Sequence, residues 1–245
     1  MAEGGSSDVN WKATLWGSWP RRLYVLLIVI YAMVLTPVAL FYSRSPENVT
    51  QFAAVSTCVA TLFVGLWRRA QIQKIWAGLD WSASKKLFLA GGLGAIYVET
   101  EYEIWQHVFG ANGVAASPNL LIDLIETMPW YLLMVGFLTV TLRHRQATLF
   151  QLLLLGGVYE LMADGILGSI LAGKPAVDFL GLPFAIPIFT LVYSPIVALA
   201  ALAVWPAYQR LWSTKPPDGS RLWWFFPCLP IIPYAAILIV LLFAL

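Results

Sequence analysis

The chain has 245 residues, of which 60% are hydrophobic and only 11% charged, with a formal net charge of +2. A soluble domain carries about 25% charged residues, so this composition excludes an ordinary soluble enzyme and fits an all-α, polytopic membrane helical bundle. The basic residues fall in short blocks between apolar stretches, which leaves no nucleic-acid patch.

Met1 to Asn10 is polar and lacks the basic start and short apolar core of a cleaved signal peptide, so the first span is expected to be retained. Apolar runs near the ~20 residues a bilayer requires predict seven transmembrane helices. The first two, Leu23–Tyr42 and Phe52–Trp67, carry no charge. Cys58 lies in the second span and Cys228 near the C-terminus, both in apolar surroundings. They read as small buried hydrophobes rather than as a disulfide or a metal pair.

The third span, Leu87–Phe109, holds Glu99, Glu101, Glu103 and His107. The fourth, Leu120–Leu142, holds Asp123 and Glu126 near its start. The fifth, Ala147–Ala172, holds Glu160 and Asp164. Leu180–Trp205 is the sixth. After the turn-forming Lys215–Ser220 comes the seventh, Leu222–Leu245, whose first half is made irregular by Pro227, Pro230 and Pro233. These spans make one transmembrane domain over residues 1–245.

All of the Lys and Arg residues except Arg44 and Lys174 then fall on one side of the membrane. The loops are short, so the positive-inside rule predicts a cytoplasmic N-terminus. Trp67, Trp81, Trp205, Trp212, Trp223 and Trp224 cluster at the same ends, as an aromatic belt would.

An ionisable side chain inside a bilayer costs at least ~2.5–3.5 kcal/mol on insertion scales, so eight of them on three consecutive spans point to a polar chamber. At 100° per residue, Glu99, Glu103 and His107 stack on one side of the third span, with Glu101 roughly opposite. Asp123 and Glu126 stand three apart, with Trp130 one turn beyond Glu126. Glu160 and Asp164 stand four apart. The plain alternatives are that His107 faces interfacial water and that Asp123 serves the helix dipole in its first turn. Glu126, Glu103 and Glu160 have no such simple explanation.

A buried carboxylic acid holds its proton near neutral pH and can give it to an alkene, while a second carboxylate or a histidine takes a proton back. Trp105, Trp130 and Tyr131 supply electron-rich faces for an intermediate cation. No cofactor and no metal are expected for this chemistry. The partner it implies is a lipid or isoprenoid small molecule.

From residue 95 to about 210 the order of features resembles the EXPERA family, which includes sterol Δ8–Δ7 isomerase and the sigma-2 receptor. The resemblance rests on Glu103-Ile-Trp-Gln-His107-Val-Phe, on Ile125-Glu126-Thr127-Met-Pro129-Trp130-Tyr131, on Phe150-Gln151 through Gly156-Gly157-Val-Tyr159-Glu160, and on Val192-Tyr193-Ser194-Pro195. It implies a core over 95–210 with an acidic cavity, preceded by two spans (1–94) and followed by one (211–245). It also implies Glu126 and Glu103 as key acids, with His107 and Trp130 nearby. Here Glu103 precedes His107, the reverse of the family's isomerases, and Ser194 stands where they carry asparagine.

The sequence therefore predicts an integral membrane enzyme that isomerises a sterol or isoprenoid lipid by acid–base chemistry. The expected catalytic groups are Glu126, Glu103, His107 and Glu160. The expected substrate-binding groups are Glu99, Asp123, Trp105, Trp130, Tyr131, Tyr159, Asp164 and Tyr193. The alternatives are a non-catalytic lipid-binding or lipid-trafficking receptor, and a transporter of protons or divalent cations.

Overall fold

A computed structural model describes residues 17–112, 114–163, 188–214, 220, 223 and 226–229, and these residues form helices and their connections with no strand. Helix α1 (Trp19–Tyr42) contains a π turn at Tyr31–Leu35. Pro37 brings no amide hydrogen, so the ladder widens just ahead of it. The Thr36 hydroxyl donates to the Tyr31 and Ala32 carbonyls at 2.8 and 3.2 Å.

Helix α2 (Pro46–Trp67) starts six residues before the expected Phe52. Ser45 caps it by accepting the Asn48 N–H, Pro46 sits in the first turn and Glu47 favours the helix N-terminus. A short helix, α3 (Arg69–Ala77), follows.

Helix α4 (Ala83–Phe109) is the longest among the described residues. Ser82 caps its start, and Gly110, at φ 73°, ends it in the left-handed conformation that glycine adopts without penalty. Helix α5 (Leu120–His144) is capped by Asn119 and runs through Pro129. Thr148 and Gln151 open α6 (Leu149–Ala163) as a reciprocal capping box, each side chain accepting the other's backbone N–H at 3.2 and 2.9 Å. Helix α7 comprises 188–192, the π turn Pro195–Leu199 and Ala200–Ala203, and α8 (Trp205–Thr214) completes the set.

The sixth expected span thus ends near its predicted Trp205 boundary. The C-terminal part of the fifth, the start of the sixth and most of the seventh lie outside the described residues.

Helix α4 is the hub, packing on α5, α7 and α2. Glycines make this possible. A Cβ on Gly91 would stand 2.5 Å from Val135 of α5, and one on Gly94 would stand 2.5 Å from the Pro195 carbonyl of α7. Small residues of this kind let helix backbones approach closely where no water is present to drive association.

Polar ties join the helices. Gln73 Nε2 donates to the Leu202 carbonyl at 2.8 Å, and Trp212 Nε1 donates to the Leu142 carbonyl at 2.7 Å. Tyr24 and Thr190 share a hydrogen bond between α1 and α7.

Three of the described helices, α1, α2 and α5, are long and apolar enough to cross a membrane. Helix α4 has the length, but carries Lys85, Lys86 and three glutamates. Large apolar side chains stand exposed on these helices, among them Met33, Phe41, Phe63, Ile125 and Val108. Glu99, Asp123 and Glu160 are buried. Polar inside and apolar outside is the arrangement a lipid environment selects.

Candidate functional site

The buried carboxyls gather where α4 meets α5. Glu99 is 1% exposed and lies against Asp123, Thr127 and Tyr131 of α5. Asp123 is fully buried although it occupies the first turn of its helix. The Asn119 cap starts α5 by accepting the Leu121 and Ile122 N–H groups, which places Asp123 one turn in. The chain before the cap folds back so that the Ser117 N–H donates to Asp123 Oδ1 at 3.1 Å. Glu99 Oε1 and Asp123 Oδ2 have no hydrogen-bond partner among the described residues. Two acids face one another, each with an oxygen left over.

The stripe on α5 runs Asp123, Thr127, Tyr131, each four residues after the last. Tyr131 then meets Tyr193 of α7 edge-on, with ring centroids 5.5 Å apart. Ser194, the next residue, is fully buried and its hydroxyl oxygen has no partner among the described residues. Glu160 of α6 is buried and close enough to Tyr131 and Tyr193 to act on both electrostatically. Tyr159 packs against Trp130 at 6.4 Å between centroids, and its hydroxyl is donated to the Pro227 carbonyl. That bond makes Tyr159 a strut between α6 and the chain near residue 227.

One turn above Glu99, Glu103 pairs with His107, Nδ1 to Oε2 2.9 Å. His107 is 55% exposed in its side chain, whereas Glu103 is nearly covered and its Oε1 has no partner among the described residues. Trp105 is buried beside Tyr102, and its indole nitrogen also lacks a partner there.

The structure therefore brings together Glu99, Asp123, Tyr131, Tyr193 and Glu160, with Glu103 and His107 at one end. It does not bring in Glu126, which lies on the exposed face of α5 beside Ile125. A spacing of three residues leaves Glu126 about 60° away from Asp123, enough to turn it from the α4 contact to the outer surface. Asp164 lies outside the described residues.

Thr127 and Ser117 were not anticipated. Thr127 was legible in the four-residue stripe. Ser117 reaches Asp123 by a backbone N–H, which leaves no side-chain signature.

Glu101 points away from this cluster, as its position on the helix predicts. Its Oε1 accepts hydrogen bonds from Tyr97 OH at 2.6 Å and from Thr61 of α2 at 3.1 Å.

No protein-family model, curated protein or solved structure matches this chain. Functional assignment accordingly rests on the residues and their geometry.

Proposed function

We propose that the chain is a multi-pass membrane protein, seven spans with a cytoplasmic N-terminus, whose core isomerises a sterol or isoprenoid lipid by proton donation and abstraction. The observation that carries this reading is the facing pair Glu99 and Asp123, each with one oxygen that has no partner among the described residues, set against Tyr131.

Like charges cannot both persist at such a place, so the pair holds a proton between its two carboxyls or a cation. In the isomerase reading the protonated member gives its proton to an alkene carbon, which leaves a carbocation on the neighbouring carbon. The ionised member removes a proton from an adjacent carbon, and the double bond re-forms one position along. The pair is then restored with its single proton, so the cycle balances. The electron-rich rings of Tyr131, Tyr193 and Trp105 favour the cation between the two steps. His107, exposed at one end and paired with the nearly covered Glu103, links the cluster to the surface, and Glu160 sets the local field. Glu126 has no step in this scheme. The likeness to the EXPERA family implies Glu126 and Glu103 as the key acids, and of these only Glu103 keeps a place in this scheme.

Glu99→Gln and Asp123→Asn test the reading. Each is expected to fold and to lower turnover of a sterol or isoprenoid substrate by about 10²-fold or more, the usual worth of a positioned acid or base. Full turnover in both variants would end the acid–base mechanism.

The same two free oxygens also suit a bound cation, which is the second reading. Metal analysis alongside lipid mass spectrometry on the purified protein separates the two. A stoichiometric divalent ion lost in Glu99→Gln favours cation handling, and a bound lipid without metal favours the isomerase.

A further inference from the structure

Two residues beyond Glu99, the opposite face of α4 carries a second polar group that the Glu99–Asp123 cluster does not use. Glu101 is buried, and Tyr97 OH and Thr61 Oγ1 both reach its Oε1 while lying 2.8 Å from each other. The three groups close a small hydrogen-bonded ring between α2 and α4. Tyr97 and Thr61 also line a cleft of about 580 Å³ between α2, α3, α4 and α7. That volume is within the ~300–1,000 Å³ of small-molecule sites. The rest of the lining is almost wholly apolar and low-walled, with Gly65, Ala90, Gly94 and Ala200 among it. Arg69 is the one charged residue of the lining, and it opens α3, beyond the break that ends α2 at Trp67.

The ring's protons decide what the cleft can take. Each hydroxyl owns one proton and two acceptor lone pairs. With Glu101 ionised, the Tyr97 proton goes to Glu101, and the Thr61 proton goes to Glu101 or to Tyr97. Neither hydroxyl has a proton left to aim into the cleft, yet both oxygens keep lone pairs. The polar spot in this apolar cleft is therefore an acceptor, and its occupant must be a donor. An ammonium would also donate, but it would have to shed its hydration into an almost wholly apolar cleft, where the facing oxygen of Glu101 is already taken by Tyr97 and Thr61. A neutral hydroxyl carries no charge to desolvate.

We infer that this cleft binds a membrane lipid that carries a free hydroxyl, with the chain lying along the small-residue wall and the hydroxyl donating to the Thr61–Tyr97 pair. The site is independent of the Glu99–Asp123 cluster and stands or falls separately from it.

The test uses the full chain in lipid nanodiscs and photolabelling with hexadecanol bearing a diazirine. Labelled peptides are mapped by mass spectrometry, and unlabelled competitors are added. The site predicts labels on α2, α4 or α7 residues of the cleft, and competition by hexadecanol at least about fivefold stronger than by hexadecyl methyl ether. That factor is the worth of one net hydrogen bond. Thr61→Val and Tyr97→Phe are each expected to lower labelling by a similar factor while the thermal melt still shows a folded protein. Should Tyr97→Phe fail to fold, the near-isosteric Thr61→Val decides alone. Equal competition by the ether, or undiminished labelling in Thr61→Val, would reduce the cleft to ordinary lipid contact. Stronger competition by hexadecylamine than by hexadecanol would overturn the assignment of a neutral donor.

Discussion

Glu99 and Glu101 stand two residues apart on one helix and are both buried, yet they sit in opposite chemical situations. Glu101 accepts from a phenol and an alcohol and closes a small ring. Glu99 faces another acid and keeps an oxygen without a partner among the described residues. Insertion cost alone marks the two residues equally. The partners distinguish them: two hydroxyls hold Glu101 in place, whereas Glu99 shares its place with a second acid beside Tyr131 and Thr127 and keeps one oxygen unmet among the described residues. A buried polar group left unsatisfied costs about 1–3 kcal/mol, so such a group points to use rather than to stability.

The harshest way to break the contrast is to separate the helices that frame both sites. Gly94→Val would place a Cβ 2.5 Å from the Pro195 carbonyl oxygen and 3.0 Å from Ile196 Cα, backbone atoms that no rotamer change can move. Helix α7 must then leave α4, which opens the cleft wall and displaces Tyr193 from Tyr131. We expect a loss of about 3 kcal/mol, at the upper end for overpacking, read as a lowered unfolding midpoint in detergent. An unchanged midpoint would show that α7 is not seated on Gly94.

A sharper probe treats the two glutamates alike. Glu101→Gln weakens the charge-assisted bonds from Tyr97 and Thr61 and should cost about 1.5–3 kcal/mol. Glu99→Gln leaves Asp123 without a second carboxyl to share a proton or cation with and should leave the unfolding midpoint unchanged or raise it, while turnover is lost. The reverse order of stabilities would dissolve the distinction between the two acids.

Asn119→Ala acts between these extremes. Its side chain accepts the Leu121 and Ile122 N–H groups, and removing a cap costs about 1 kcal/mol. Because Asp123 rides on that first turn, fraying should reduce turnover more than the small change in the thermal midpoint suggests. Equal turnover with the expected loss of stability would mean that Ser117 alone positions Asp123.

The membrane character and the helical architecture were legible because composition and long apolar runs are read without tertiary knowledge. Boundaries were less so. The start of α2 at Pro46 lies in the polar turn Pro-Glu-Asn, where capping rather than hydropathy sets the helix. The pairing of Glu99 with α5 follows from periodicity once Asp123, Thr127 and Tyr131 are seen as a four-residue stripe. The same periodicity sends Glu126 outward, against the weight that its charge and the family likeness gave it. Thr61 carried no signal at all. A threonine in a greasy helix usually returns its proton to a carbonyl four residues back, as Thr57 does at 2.8 Å, and only the docking of α2 on α4 gives Thr61 a different acceptor.

Ser194 carries the smallest predicted effect and the finest test of the same rule. It is fully buried between Tyr193 and the π turn that begins at Pro195, and its hydroxyl oxygen has no partner among the described residues. If unmet polar groups in this core serve stability, Ser194→Ala should hurt. If they are retained for use, the substitution removes a desolvated hydroxyl at little loss of volume. The midpoint should then stay put or rise by up to about 1 kcal/mol, the lower end of what an unsatisfied buried group costs. A loss larger than that would mean the hydroxyl already has a partner in the folded protein. Unchanged stability together with altered turnover would place Ser194 beside Tyr131 and Tyr193 in the wall that meets the substrate.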